Sequence, residues 1–142
     1  MERPATLIVD ASVAVKWFTR EEGSNQALEL LKRHVDREIM LAAPDLLTWE
    51  VVNALRYNPG FGRAQVTQAL EDLLDFQLKT FHLSIEWAGE SIAVSFDKGI
   101  TMYDAAYLGL AHWLNVPLCT ADLEFQKKAD DSLVVPLGSK FP

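Results

Sequence analysis

Apolar positions along this chain switch repeatedly between strand-like and helix-like spacing. Short apolar runs predict strands at residues 6–9, where the run is β-branched, and at residues 41–43, 117–119 and 133–135. Helical spacing predicts helices at residues 12–18, 24–37, 46–57, 63–79, 84–96, 101–115 and 122–129. Strands that alternate with helices are typical of a parallel sheet. We therefore expect an α/β fold in which helices cover both faces of a parallel sheet.

Two features in the middle of the chain add detail to this picture. Residues 46–57 are apolar nearly all round, which predicts a helix that is buried on more than one side. Residues 58–62, Asn-Pro-Gly-Phe-Gly, combine a proline with two glycines and predict a turn between two helices. This turn is expected to be a loop within one domain and not a domain boundary.

The length and composition indicate one domain that covers residues 1–142. The chain has 142 residues, 49% of them hydrophobic, which suffices to bury roughly two thirds of the unfolded surface. No run approaches the roughly 20 apolar residues of a membrane span, and the stretch before Asp10 lacks the architecture of a secretory signal. We therefore expect a cytoplasmic protein. Its single cysteine, Cys119, is expected to be a buried structural thiol.

The charge balance disfavours, without excluding, a protein that binds nucleic acid. The net charge is −7 and the sequence pI is about 4.9, so a broadly basic surface is not expected. Carboxylates that bind metal ions would account for part of the negative charge. Lys16 and Arg20, on the predicted helix after Asp10, are weak candidates for contacts with phosphates.

Four acidic residues stand where a carboxylate does not favour folding. Asp10 and Asp122 follow short apolar runs, Asp104 opens a helix rich in alanine and glycine, and Glu50 interrupts the apolar helix 46–57. Ligands of parallel α/β sheets lie beyond the carboxyl ends of the strands, where these residues are expected to converge. Because an unpaired buried carboxylate is costly, we expect the four to share one cation site.

Three of the four carboxylates also have an ordinary structural explanation. Asp10 and Asp122 suit the N-cap positions of the helices that follow them, and Thr101 with Asp104 matches a capping box. Glu50 has no such explanation, since the helix around it has hardly any polar face. The four residues taken together therefore favour a binding site.

Four short motifs, in this order and at this approximate spacing, resemble those of PIN-domain nucleases. They are Ile-Val-Asp-Ala-Ser-Val at 8–13, Trp-Glu-Val-Val-Asn-Ala-Leu at 49–55, Tyr-Asp-Ala-Ala-Tyr at 103–107 and Thr-Ala-Asp-Leu-Glu-Phe at 120–125. Within that family the chain is most similar to the small VapC toxins of toxin-antitoxin modules. The resemblance extends from Leu7 to about Val135, and its strength lies in the ordered set.

The resemblance implies a Rossmann-like, PIN-like domain and a Mg- or Mn-dependent endoribonuclease, the toxin of a VapBC-type module. By the family pattern the four carboxylates would hold one or two Mg or Mn ions, while Ser12 and Thr120 would bind water or orient a carboxylate. It further implies an RNA substrate, an antitoxin protein and a homodimer. Tyr57 and Phe61 are candidates for one of these protein interfaces.

Two other functions share parts of the pattern. Aspartyl-phosphate phosphatases also begin with an aspartate after the first strand, but Asp10-Ala11-Ser12 lacks the second aspartate that they require two positions later. A non-catalytic PIN-like module that binds RNA or protein is the remaining alternative, and the intact acidic set disfavours it. None of the histidines is predicted to be a general base, and each is interpreted as a surface or packing residue: His34, His82 and His112.

Overall fold

Five parallel strands form one sheet within residues 3–141, the part of the chain that the computed structural model describes. They are β1 (Ala5–Val9), β2 (Ile39–Pro44), β3 (Lys79–Phe81), β4 (Leu118–Thr120) and β5 (Val134–Pro136). Across the sheet their order is β3-β2-β1-β4-β5. Met1 and Glu2, which belong to the stretch considered for a secretory signal, lie outside the described residues, as does Pro142.

Seven α-helices accompany the strands in this part of the chain. They are α1 (Ala11–Ala14, continued by a 3-10 turn at Val15–Trp17), α2 (Ser24–Val35), α3 (Leu46–Arg56), α4 (Arg63–Asp75), α5 (Ile85–Lys98), α6 (Met102–Leu114) and α7 (Leu123–Ala129). The predicted α/β fold with a parallel sheet is therefore confirmed. None of the helices in residues 3–141 is both long enough and apolar enough to cross a lipid bilayer.

The core lies on both faces of the central strands. Leu7, Ile8 and Val9 are consecutive in β1, so their side chains point to alternate faces, and all three are buried. Each such side chain contributes about 1.5–3 kcal/mol to the free energy of unfolding by leaving water. A strand buried on both faces requires helices on both sides of the sheet, as the apolar runs predicted.

The order of the strands reverses at β1. The chain passes from β1 to β2 and β3 on one side and then crosses to β4 and β5 on the other side. Ile8 aligns with both Ala42 and Leu118, and Val9 aligns with Cys119. The carboxyl ends of β1 and β4 therefore lie next to each other, at the kind of position where open α/β sheets bind ligands.

Strand β3 was not predicted, because residues 63–79 were assigned to one helix. Helix α4 ends at Asp75, and Gln77 then adopts a left-handed conformation with a φ of 54°. The three residues of β3 form the edge of the sheet, where Lys79 and Thr80 are exposed. A short exposed strand lacks the run of apolar residues that makes a buried strand recognisable.

The prediction that the helix at 46–57 is buried on more than one side was wrong. In α3 only the face with Leu47, Val51 and Leu55 is buried. Trp49 and Tyr57 are exposed on the other side of the same helix. Glu50 is half-buried, at the border between these two faces.

Helices α5 and α6 pack closely against each other. Gly109 in α6 lies against Ser91 in α5, and a Cβ atom at position 109 would meet the Ser91 Cα and N atoms at 2.6 Å. Such a distance is shorter than any van der Waals contact, so only glycine fits at this crossing. Ser84 occupies the N-cap position of α5 without making a side-chain capping hydrogen bond.

Each histidine has a partner that explains its position. The buried His34 accepts a hydrogen bond from the backbone N–H of Leu41 at its Nδ1 (3.0 Å), and its Nε2 lies 2.8 Å from the Phe76 carbonyl oxygen. His82 Nδ1 lies 2.5 Å from an Asp45 carboxylate oxygen, and His112 Nε2 lies 2.7 Å from one of Asp131. These contacts agree with the interpretation as surface or packing residues.

Asp131 should stabilise the fold in a pH-dependent way. Burial opposes its ionisation, but the backbone N–H of Leu133 (2.9 Å) and the ring of His112 lower the pKa of Asp131 overall. A lowered folded-state pKa means that the stabilisation is present above the unfolded pKa of about 4 and is lost as the pH falls through the folded value. Asp131→Asn should therefore reduce the free energy of unfolding by roughly 1–2 kcal/mol at pH 7 and by less near pH 3.

Urea denaturation at both pH values measures this difference. The matched control is Asp130→Asn, because Asp130 is exposed and has a left-handed φ of 43°, which asparagine tolerates. This control should leave the stability nearly unchanged. An equal loss for Asp131→Asn at pH 7 and pH 3 would contradict the role given to its charge.

Candidate active site

Asp10 lies at the carboxyl end of β1, where its carboxylate is buried and held by hydroxyl groups. The Ser12 hydroxyl donates to Oδ1 (2.5 Å), the Thr120 hydroxyl donates to Oδ2 (2.5 Å), and the Val13 N–H also reaches Oδ1 (3.3 Å). Burial nevertheless raises the pKa of Asp10 above its ordinary value, although these hydrogen bonds lower it. The carboxylate is thus fixed in orientation and costly to ionise without a further positive partner.

Ser12 and Thr120 join the loops that follow β1 and β4. Their hydroxyl oxygens lie 3.3 Å apart. Ser12 Oγ accepts the backbone N–H of Ala121 (2.8 Å), and Thr120 Oγ1 accepts the backbone N–H of Asp122 (3.0 Å). The two hydroxyls therefore set the position of Asp122 relative to Asp10, across the point where the strand order reverses.

Asp122 caps helix α7 and is otherwise exposed. Its Oδ1 accepts the backbone N–H of Phe125 (3.0 Å). Asp10 caps α1 in the same way through Val13. Both aspartates are therefore helix N-caps, as their positions in the sequence suggested. Capping does not compete with a binding role, because each carboxylate oxygen has more than one lone pair and can accept a hydrogen bond while it contacts a cation.

Glu50 is held by a tyrosine on the neighbouring helix. The Tyr107 hydroxyl of α6 donates to Glu50 Oε1 (2.6 Å). Burial raises the pKa of Glu50, the Tyr107 hydrogen bond lowers it, and the negative charges of Asp104 and Asp10 raise it further. Tyr107 itself is buried, and this burial together with the charge of Glu50 raises the pKa of its hydroxyl far above the ordinary value. The tyrosine therefore remains a hydrogen-bond donor at any physiological pH.

Asp104 lies in the first turn of α6, half-buried. Its backbone N–H donates to the Thr101 hydroxyl (3.1 Å), so Thr101 caps the helix as the motif predicted. Burial raises the pKa of the Asp104 carboxyl, and the negative charge of Asp122 adds to this, while Lys128 acts in the opposite direction. Asp104 is thus electrostatically linked both to Glu50 and to Asp122.

The four predicted carboxylates are linked by mutual repulsion at one end of the sheet. Glu50 is affected by the charges of Asp10 and Asp104, and Asp104 is affected by the charge of Asp122. Such repulsion is relieved by protonation or by a bound cation. The sequence analysis gave no role to Tyr107, although its spacing of three residues from Asp104 places both on one face of α6.

The donor set is suited to a hard divalent cation that keeps water in its coordination shell. Among residues 3–141, no three His, Cys, Asp or Glu side chains lie close enough together to hold a metal ion by themselves. Magnesium commonly takes one or two carboxylates and completes its octahedron with water and substrate phosphates. A site in which water completes the coordination of one or two carboxylates would suit that preference, whereas a closed cage of the kind that binds structural zinc does not arise within residues 3–141.

Lys16 and Arg20 are not brought to the carboxylates by any contact that the structure records within residues 3–141. The Lys16 ammonium group donates to Glu21 Oε1 (2.7 Å) and to the Glu22 carbonyl oxygen (2.6 Å). It therefore holds the loop between the 3-10 turn and α2. Arg20 is exposed in that same loop. Cys119 is buried, as expected, and burial followed by the charge of Asp10 raises the pKa of its thiol to about 12.

A parallel sheet of this order, with acidic residues at its reversal point, agrees with the resemblance of the four motifs to PIN domains. The PIN domain family model matches residues 7–131, and the chain belongs to this family. It is similar to Ribonuclease VapC3 of Pyrobaculum aerophilum, with 33% identity over 134 residues that cover 92% of this chain and 98% of the relative. The resemblance seen in the four motifs is thereby confirmed.

Solved structures agree with this assignment. The crystal structure of PAE2754 from Pyrobaculum aerophilum superposes with a TM-score of 0.69 at 25% identity, covering 94% of this chain and 84% of that one. A toxin-antitoxin complex from Klebsiella pneumoniae gives a TM-score of 0.69 at 19% identity, with 91% and 95% covered. VapBC2 from Rickettsia felis, bound to a DNA fragment, gives 0.64 at 17%, with 92% and 96% covered. At these last two identities the likeness shows the fold alone.

Proposed function

We propose that this protein is an endoribonuclease that hydrolyses RNA phosphodiester bonds and acts as the toxin of a VapBC-type module. The observation that carries the proposal is the buried Asp10 carboxylate, held by two hydroxyls and linked electrostatically to Glu50 at the reversal point of a PIN-type sheet. The similar protein named as a ribonuclease spans nearly the whole chain. Carboxylates that served only to stabilise the fold would not be expected to lie where they repel one another.

We further propose that Asp10, Glu50, Asp104 and Asp122 hold one or two magnesium or manganese ions. When bound, such ions polarise the phosphate and stabilise negative charge on the attacking and leaving oxygens. The carboxylates of the chain supply the negative charge that retains the ions. The Ser12 and Thr120 hydroxyls keep Asp10 in one orientation, so that this carboxylate needs no rearrangement when the substrate arrives.

Glu50 is the side chain best placed to handle a proton. Its Oε1 accepts the Tyr107 hydroxyl, and no hydrogen bond to Oε2 is found within residues 3–141. Its raised pKa makes the carboxylate a better proton acceptor than an exposed glutamate. In the proposed reaction, a water oriented by Glu50 Oε2 attacks phosphorus in line and gives one proton to this carboxylate. The bond between phosphorus and the 3′ oxygen breaks, and the 3′ oxygen takes a proton from solvent. The products are a 5′-phosphate and a 3′-hydroxyl.

Cleavage of defined RNAs by the purified protein tests this function. Intact RNA should be cut internally when magnesium or manganese is present and should remain intact with excess EDTA. The ends are then identified by labelling, since a 5′-phosphate blocks direct kinase labelling until phosphatase treatment. Failure to cleave any structured or unstructured RNA at saturating metal would contradict the proposal.

Divalent metal should stabilise the folded protein. The carboxylates repel one another without a cation, so magnesium or manganese at a hundredfold excess over Kd should raise Tm by roughly 10 °C. Asp104→Asn removes the charge that links Glu50 with Asp122, and it should abolish most of this rise. Thermal unfolding by circular dichroism, with and without metal, measures both effects.

The pH dependence of the metal-induced rise in Tm and a control variant provide two further tests of the cation site. The pKa values of Asp10, Glu50 and Asp104 are raised in the folded state, so protons compete with metal at a higher pH than they would at ordinary carboxylates. The rise in Tm should therefore be larger at pH 8 than at pH 5.5. Asp75→Asn, at the exposed end of α4, should retain the full rise. A melting curve unaffected by saturating metal would count against the cation site.

We propose an antitoxin protein and a second copy of the chain as partners. The similar fold of a protein described as part of a toxin-antitoxin complex supports the first, and Tyr57 offers an exposed ring at the end of α3. Co-expression with the product of a neighbouring small gene, followed by size-exclusion chromatography, tests for the complex. Light scattering of the isolated chain tests for the dimer.

A further inference from the structure

Two exposed aromatic residues are direct sequence neighbours of the proposed catalytic carboxylates. Trp49 precedes Glu50 in α3 and is 76% exposed, and Tyr103 precedes Asp104 in α6 and is 65% exposed. An exposed tryptophan leaves a large apolar area in water, which is unfavourable unless a ligand covers it. Their position at the site makes these two rings different from aromatic residues scattered over the surface.

The two rings belong to helices that meet at the site. Tyr103 lies four residues before Tyr107, so both side chains are on one face of α6. The Tyr107 hydroxyl donates a hydrogen bond to Glu50, which is the residue after Trp49 in α3. Trp49 is therefore one residue from one end of the Tyr107–Glu50 hydrogen bond, and Tyr103 is one helical turn from the other end. Both rings are exposed, whereas Tyr107 is buried.

The three other tryptophans of this protein make contacts within the fold. Trp17 Nε1 donates to the Ala27 carbonyl (2.8 Å) and Trp87 Nε1 donates to the His82 carbonyl (2.9 Å), and both rings are buried. Trp113 packs edge-on against Phe81. For Trp49, neither a hydrogen bond nor a ring contact is found in the described part of the chain. Packing of the fold therefore does not account for this ring.

We propose that Trp49 and Tyr103 stack on unpaired nucleobases of the RNA next to the phosphate that is cleaved. This inference rests on the proposed ribonuclease function and assigns two substrate-positioning residues to it. Stacking suits this chain because every base has a π-face and the interaction needs no positive charge. With a net charge of −7, the protein gains little from attraction to phosphates, so neutral ring contacts must supply affinity. Bases in a duplex are already stacked, which makes single-stranded segments the preferred ligand.

Binding of a labelled 20-nucleotide RNA, followed by fluorescence anisotropy, tests the proposal. All variants are made in an Asp10→Asn background so that the RNA stays intact in magnesium. Trp49→Ala and Tyr103→Ala should each weaken binding of the single strand by about 5- to 150-fold. Binding of the same strand annealed to its complement should change by less than about twofold. The preference for single-stranded RNA should therefore decrease in both variants.

Conservative variants separate stacking from general apolar contact. Trp49→Tyr keeps a ring and should restore most of the affinity, whereas Trp49→Leu keeps apolar surface without a ring and should not. Trp113→Ala is the matched control, because this tryptophan is partly exposed and lies at the opposite end of α6 from Asp104. It should leave RNA binding unchanged.

Affinities of Trp49→Ala and Tyr103→Ala within twofold of the parent would overturn the inference. So would an unchanged RNA affinity combined with loss of self-association or of antitoxin binding, which would assign the rings to a protein interface. The proposed function is tested separately by RNA cleavage with the wild-type protein, which retains Asp10. If the wild type cleaves RNA and the Trp49 and Tyr103 variants bind RNA normally, only the stacking role is wrong. If these variants lose RNA binding but the wild type does not cleave RNA, only the nuclease function is wrong.

Discussion

Asp10→Asn should reduce RNA cleavage by about a thousandfold while the protein stays folded. Asparagine has nearly the same shape, but it carries no charge and its amide nitrogen cannot accept a hydrogen bond. The Ser12 and Thr120 hydroxyls both donate to Asp10 at 2.5 Å, so one of them loses its acceptor. The change therefore removes the charge that would retain a cation and the hydrogen bonding that orients the site.

The stability of this variant should move in the opposite direction from its activity. Burial raises the pKa of Asp10, so its favourable contribution exists below the unfolded pKa of about 4 and is lost as the pH rises through the folded value. In EDTA, Asp10→Asn should thus gain stability relative to the wild type as the pH increases. Urea denaturation from pH 5 to pH 8 measures this trend.

Two comparisons make the activity result decisive. Asp75→Asn removes an exposed carboxylate at the end of α4 and should cleave RNA at the wild-type rate. Asp10→Asn should retain the circular dichroism spectrum of the parent. Equal cleavage by Asp10→Asn and the wild type would point to a contaminating nuclease and would leave the site without a role.

Gly109→Ala should destabilise the protein by roughly 3 kcal/mol, which corresponds to a decrease in Tm of about 10 °C. Its Cβ atom would lie 2.0 Å from Ser91 Oγ and 2.6 Å from the Ser91 Cα and N atoms. The serine hydroxyl can rotate away, but the backbone of α5 can make room only if the whole helix shifts. Because α5 and α6 share this contact, separating them would open the core around both helices.

A second glycine on the same pair of helices provides the control. Gly89 lies in α5, and a Cβ atom there would have no neighbour within 4 Å. Alanine has the higher helix propensity by about 1 kcal/mol, so Gly89→Ala should stabilise the protein slightly. Ser91→Ala should not rescue Gly109→Ala, because the backbone contacts at 2.6 Å remain. A neutral Gly109→Ala would show that the two helices are not held as closely as described.

The buried elements were predictable because each carries its own pattern. β1, β2, β4 and β5 consist largely of apolar or β-branched residues between turn signals, and the structure places a strand at each predicted position. β3 escaped prediction because three residues at the sheet edge need no such pattern. The exposed face of α3 also escaped prediction, since Trp49 and Tyr57 are apolar residues that the fold leaves in water. Apolar character alone cannot distinguish a core position from an exposed one.

The acidic residues proposed for the site stand out in the sequence, but their hydrogen bonds do not. Asp10, Glu50, Asp104 and Asp122 were recognisable because a carboxylate in an apolar context is unusual. The bond from Tyr107 to Glu50 spans 57 positions in the chain, and the bond from Thr120 to Asp10 spans 110. No local spacing predicts such pairs, because they depend on how α3, α6 and the central strands are placed against one another.

The amino-acid sequence by itself determined the class of fold and the identity of the acidic residues, because hydrophobic periodicity and misplaced carboxylates are local properties of the chain. Only the tertiary structure decided how these residues interact. The parallel register of β1 with β4 places the Asp10 carboxylate between two hydroxyls, and the approach of α6 to α3 supplies the Tyr107 hydroxyl to Glu50. Burial and mutual repulsion, which raise the pKa values of the site, arise only when distant segments come together.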